Sequence, residues 1–159
     1  MYMGALNAKK PAISKLVGIR GELSIIACIL TLGHNIVYGR HIFVNLFTNP
    51  AEMKPQALIA SIISIIMIAI MHPLMLTSFA AVRKRMSLAA WKSLQRWAYV
   101  FFALIYAHVM VLFLPKFSEK YLDIIAYTFI FGAYAVLRVT KAVKASKNTL
   151  PQREYAGKA

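Results

Sequence analysis

The chain has little acid and almost no cysteine. Five Asp and Glu residues stand against nineteen Lys and Arg, a formal net charge of +14 over 159 residues. Cys28 is the only thiol, so no disulfide, iron–sulfur cluster or cysteine-rich zinc site can be built within one chain. A small apolar residue in a helix accounts for it. No glycine-rich dinucleotide fingerprint occurs, and no flavin or nicotinamide domain is expected. The opening MYMGALNAKKP is short and weakly apolar, and the run after it is too long for a leader's h-region. No cleavable leader is therefore expected. Internal repeats and low-complexity runs are also missing.

What is present is apolar surface. Hydrophobic residues make up 60% of the chain and mean hydropathy is +0.61, more than a soluble domain carries and what a membrane protein needs. Four apolar runs stand out, 16–47, 57–82, 91–114 and 121–143, each able to cross a hydrocarbon core that takes about 20 helical residues. Asn49-Pro50 and Pro55 punctuate the first link, Arg83-Lys84-Arg85 the second, and Pro115 opens the third. After Lys147 the chain turns polar without a periodic apolar face, the pattern of a mobile tail.

The positive charges flank these runs instead of forming a soluble basic face, which argues against nucleic acid. Lys9, Lys10, Lys15 and Arg20 lie before the first run or at its start. Arg83, Lys84, Arg85, Lys92 and Arg96 lie in the middle link or in the first turns of the run after it. Arg138, Lys141, Lys144, Lys147, Arg153 and Lys158 lie at the end of the last run or beyond it. Those fifteen fall on one side of a four-span topology, leaving only Arg40, Lys54, Lys116 and Lys120 on the other. The positive-inside rule then places both termini in the cytoplasm. The expectation is an all-α membrane protein: a cytoplasmic segment 1–15, a four-transmembrane-helix bundle over 16–143 in the cell's inner (plasma) membrane, and a cytoplasmic polar tail 144–159.

Two histidines lie deep in this scheme. Counted from Arg20 and Leu94, His34 and His108 are each fourteen residues along, which at 1.5 Å per residue is about 21 Å from the cytoplasmic edge. The first and third spans run the same way, so the two imidazoles share a depth in the outer half of the bilayer. Ionisable groups there are costly without a partner. Two facing imidazoles suit a metal, and haem iron above all. The alternative is that each ring bonds a backbone carbonyl or a serine across a helix interface. Gly33 would let a flat macrocycle approach, though helix packing also explains a glycine. His41, seven residues beyond His34, falls on nearly the same face near the outer interface, placed to bond a propionate or to be solvated. His72 precedes Pro73, which frees a backbone carbonyl and kinks the span, and the imidazole is placed to bond that region; a second haem or a quinone are its other readings.

The segment His72–His108, HPLMLTSFAAVRKRMSLAAWKSLQRWAYVFFALIYAH, resembles the ferric reductase-like transmembrane domain family. That family includes the haem-binding membrane subunit of the periplasmic methionine sulfoxide reductase system. Leu74-x-x-Thr77-Ser78, the basic link, Trp91-x-x-Leu94, Arg96, Tyr99 and His108 fall where its pattern has them. Gly18, Arg20, Gly21 and His34 match its opening span, and the likeness covers roughly 16–114. The chain departs from the family at two positions. The family's inner-leaflet histidines fall on Gln95 and Arg20, which are poor haem ligands beside imidazole. The resemblance thus implies one haem b on His34 and His108 in the outer leaflet, and a second, inner haem is doubtful.

Such a chain would be an electron-transfer subunit of an oxidoreductase system rather than a complete enzyme. It would carry electrons from a quinol or a redox partner protein to an acceptor at the outer face. Arg40, Lys54 and Lys116 are candidates to neutralise propionates; ordinary headgroup contact competes. Lys84, Arg85, Lys92 and Arg96 are candidates to dock an acidic partner, with topology the simpler reason for them. Membrane lipids are partners in any case. Two other readings stay open: a haem-free scaffold or assembly subunit, and a two-haem, quinol-linked small cytochrome b.

Overall fold

The computed structural model describes residues 14–15 and 18–156, and of residues 145–156 the backbone alone. Most of the expected N-terminal segment 1–15, and the side chains of the tail beyond Lys144, lie outside the described residues. Helix α1 spans Arg20–His34 and runs into a π-helical turn, Asn35–Gly39, and then α2, Arg40–Thr48. A 3-10 turn at Pro50–Glu52 leads to α3, Pro55–Leu76. The short α4, Ala80–Arg83, precedes α5, Leu88–Phe113. After a 3-10 turn at Leu114–Lys116 comes α6, Phe117–Ala156. No strand occurs among the described residues.

Three helical stretches are long and apolar enough to cross a membrane: Arg20–Thr48, Pro55–Leu76 and Leu88–Lys144. The last has 57 residues, where one crossing takes about 20. It contains both the third and the fourth expected run. Leu114–Lys116 carries the helical backbone through the link between them, because proline at the start of a helical segment lacks only an N–H that would be unsatisfied anyway. The polar tail departs from its reading as well, since α6 continues to Ala156. Ala, Lys, Arg, Gln and Glu are strong helix formers even without an apolar face.

The helix ends follow from local chemistry. Ser87 caps α5, its Oγ accepting from the Ala90 N–H at 3.2 Å. Pro55 opens α3, where its fixed φ suits the first turn. Pro73 lies inside α3 and cannot donate to the Ala69 carbonyl four residues back. One turn later, Thr77 Oγ1 donates to the Pro73 carbonyl and Ser78 Oγ to that of Leu74, each at 2.8 Å. These bonds hold the exit of α3 as the chain leaves the helix.

Within residues 18–124, α3 is the central element. Its buried face is Ala60, Ser61, Ser64, Met71 and Leu74, small in its first half and large in its second. The small half lets a neighbouring backbone come close, and α5 is the helix that packs there most extensively. α1 and α2 also rest on α3, whereas α1 and α5 touch each other little. Cys28 is the buried residue of α1. Outward, Leu30, Val37, Phe47, Ile62 and Ile66 are exposed, an apolar outer surface that suits lipid better than water. The part of α6 from Ile125 onward forms a unit of its own, with Ile125, Phe129, Val136 and Val139 exposed.

Candidate functional site

His108 sits on α5, half-buried, where that helix crosses the small-residue stripe of α3. Its Nδ1 lies 3.1 Å from the Ala60 carbonyl oxygen and 3.3 Å from Ser64 Oγ. A carbonyl only accepts, so Nδ1 carries the proton and donates it. The neutral ring then presents a bare Nε2. This is the interface bond that the haem-free alternative describes, to a carbonyl and a serine together. It is also the arrangement of a metal-binding histidine, whose other nitrogen is normally tied to a backbone carbonyl that fixes tautomer and orientation. Both readings share Nδ1 and differ only in what Nε2 meets.

His34 ends α1 and is exposed. Its ring stacks obliquely on Tyr38, with centroids 5.1 Å apart and planes at 40°. Neither ring nitrogen has a hydrogen bond among the described residues. The imidazole lies within electrostatic range of His108. Beside it, a β-carbon on Gly33 would meet nothing within 4 Å. That is open space for a flat ligand or a lipid chain.

Immediately after His34 the helix widens into the π turn. Asn35 Nδ2 donates to the Thr31 carbonyl at 2.8 Å, reinforcing the widened turn from its own side chain. At Gly39 a β-carbon would stand 2.9 Å from Phe43 Cε2, so a side chain there would crowd Phe43. Single π turns occur disproportionately at functional sites. This one also corrects the expected position of His41. An inserted residue rotates the next stretch of helix by about 100°, one residue's share of a 3.6-residue turn. The seven-residue spacing therefore no longer keeps His41 on the face of His34. His41 Nε2 instead lies 3.2 Å from Asn45 Nδ2, and Arg40, just past the same turn, is exposed. Of the expected site residues, Gly33 and His34 adjoin at the end of α1 and His108 lies on α5 against α3, while Arg40 and His41 lie beyond the π turn.

His72 takes the structural part expected of it: Nδ1 bonds the Ile68 carbonyl at 2.9 Å, next to the carbonyl that Pro73 leaves without a helical donor. At the positions of the family's inner histidines, the Arg20 guanidinium stands over the Trp91 ring at 5.4 Å and Gln95 is half-buried. No group of three or more His, Cys, Asp or Glu residues able to hold a metal exists among the described residues. A metal taken up by two imidazoles must therefore bring its remaining ligands with it, as a porphyrin does.

Sequence reasoning missed three features. The anchors of His108, Ala60 and Ser64, were foreshadowed only by the small residues Ala57, Ala60, Ser61 and Ser64 on one helix face. The π turn had no signal beyond Gly39. An open cleft of about 270 Å³ lies where α2 and α3 meet their connecting loop, with Asn45, Asn49, Glu52 and Lys54 as its polar lining.

No family model matches this chain, and no solved structure matches it. A protein of Treponema pallidum (strain Nichols), described only as uncharacterized, is 41% identical over 133 residues. The match takes in 81% of this chain and 37% of the relative, so the chain spans little more than a third of the relative's length.

Proposed function

We propose that the chain is a membrane b-type cytochrome subunit that holds one haem b between His34 and His108. In this reading it crosses the cell's inner membrane four times with both termini in the cytoplasm, and the haem lies toward the outer face. The reading rests on the resemblance to the ferric reductase-like family. The observation that carries it is the His108 Nδ1 bond to the Ala60 carbonyl, which leaves Nε2 without a hydrogen bond among the described residues and able to ligate. A haem held by two imidazoles would supply outer-sphere electron transfer.

The chain's own residues do the rest. Ala60 and Ser64 orient the His108 ring. Tyr38 packs against the His34 ring, and Gly33 leaves the approach to it clear. The exposed apolar residues of α1 and α3 exclude water from the surroundings, which shapes a redox potential as much as the ligands do. Electrons would come from a quinol or a cytoplasmic redox partner and leave to an acceptor outside.

A haem-free scaffold is the second reading, favoured by one observation: His108 Nδ1 is fully satisfied by protein groups alone. A reduced-minus-oxidised spectrum of the purified protein, with haem counted as the pyridine haemochrome, separates the two. One b-type haem per chain is expected, absent from the His34→Ala/His108→Ala double variant. Protein without haem bands, or a double variant that keeps them, would overturn the assignment.

A further inference from the structure

The two histidines are not held alike. His108 has a hydrogen bond to a backbone carbonyl on the most tightly packed helix face, with Ser64 Oγ alongside at 3.3 Å. Ser64 and Ala60 are themselves buried, at 8% and 4% exposure. A backbone carbonyl cannot rotate away, so the ring is fixed and its Nε2 is made more basic. His34 has none of this. It is exposed, its nitrogens have no hydrogen bond among the described residues, and its ring meets the Tyr38 ring with centroids 5.1 Å apart. Tyr38 is itself 70% exposed. The backbone that carries it is the π turn, in which every hydrogen bond spans one residue more than in an α-helix.

We infer that the pair is unequal: His108 is the permanent axial ligand and His34 the exchangeable one. The position His34 fills is then a site for a small neutral ligand, of imidazole size or below, entering from the open side beside Gly33. This rests on the haem reading above and adds to it a second ligand class at the same site. The bond that breaks on exchange is iron to His34 Nε2 or Nδ1, and the bond that forms is iron to the incoming ligand's lone pair. No electron or proton need move. Tyr38 is a positioning residue, because it touches His34 and not the metal.

Single variants made in parallel test this on the full chain purified in detergent. His34→Gly is expected to keep haem in a high-spin form, which millimolar imidazole converts back to the low-spin spectrum. His108→Gly is expected to lose most of its haem, with no rescue by imidazole. Should a glycine variant fail to accumulate, the unmutated protein still decides the matter. Carbon monoxide should bind the reduced protein, and Tyr38→Ala should raise its affinity while Tyr38→Phe restores the original value. Equal haem loss and equal rescue in the two glycine variants would overturn the inequality while leaving the cytochrome reading intact. So would a reduced wild type and Tyr38→Ala that both refuse carbon monoxide. Wild-type protein without haem would overturn both.

Discussion

Gly21 and Ser78 are in near-contact: a β-carbon built on the glycine would stand 3.2 Å from the serine's carbonyl oxygen. The start of α1 thus rests directly on the turn that ends α3, backbone against backbone. Gly21→Ala gains helix propensity of up to about 1 kcal/mol but presses a methyl on the Ser78 carbonyl, in a turn that the Thr77 and Ser78 hydroxyls brace against the end of α3. The two effects offset, and thermal unfolding in detergent should shift little. Gly21→Leu has no such compensation and should destabilise by about 1–3 kcal/mol, the range of overpacked sites.

Gly33 offers the opposite case on the same helix. Nothing lies within 4 Å of its would-be β-carbon, so Gly33→Ala should stabilise the cofactor-free protein by about 0.5–1 kcal/mol through backbone entropy alone. Gly33→Leu should be tolerated by the fold equally well. If a porphyrin approaches there, however, haem per chain should fall in the leucine variant while unfolding of the apoprotein does not change. Full haem occupancy with leucine at this position would remove Gly33 from the site.

Ser64 separates the packing of α3 on α5 from the polarity at His108. Ser64→Ala leaves the Ala60 carbonyl bond in place and should cost about 1 kcal/mol or less. Ser64→Leu puts a large side chain where the helices meet and should cost more, about 1–3 kcal/mol. A costly alanine variant would mean that the hydroxyl, and not the carbonyl, holds the His108 ring.

Trp91 carries a buried indole N–H with no hydrogen-bond partner among the described residues. An orphaned donor of this kind costs about 1–3 kcal/mol. Trp91→Phe keeps an aromatic face beneath the Arg20 guanidinium and removes the donor. Its unfolding midpoint should be no lower than that of the parent, and a clear drop would show that the N–H has a partner after all.

How much of this was legible beforehand depends on the kind of signal. Apolar run length gave the helices, since a span of some twenty apolar residues has few other uses. The depth match of His34 and His108 came from counting along two helices, a kind of reading that says nothing about which way each ring faces. The facing of His41 was not legible. It turned on one residue's worth of extra winding after His34, and hydrophobic periodicity over five residues is too short to show a π turn. Nor was the choice of Ala60 as anchor, because a backbone carbonyl carries no sequence signature. What could be read was that the stripe around it is small enough for His108 to reach it.

The number of crossings is open to a direct measurement, because the third and fourth expected spans lie in one 57-residue helical stretch. Starting from Cys28→Ala, single cysteines at Asn49, Ser87, Ser118 and Thr140 can be tested with a membrane-impermeant thiol reagent in sealed inverted and right-side-out vesicles. Four crossings require Asn49 and Ser118 to react from outside, and Ser87 and Thr140 from inside. With three, α6 never returns and Thr140 joins Asn49. The fifteen-to-four division of positive charge favours the first pattern, since Arg138, Lys141 and Lys144 would otherwise be carried across against the positive-inside bias. If Thr140 reacts from outside, that charge argument fails and the termini lie on opposite sides.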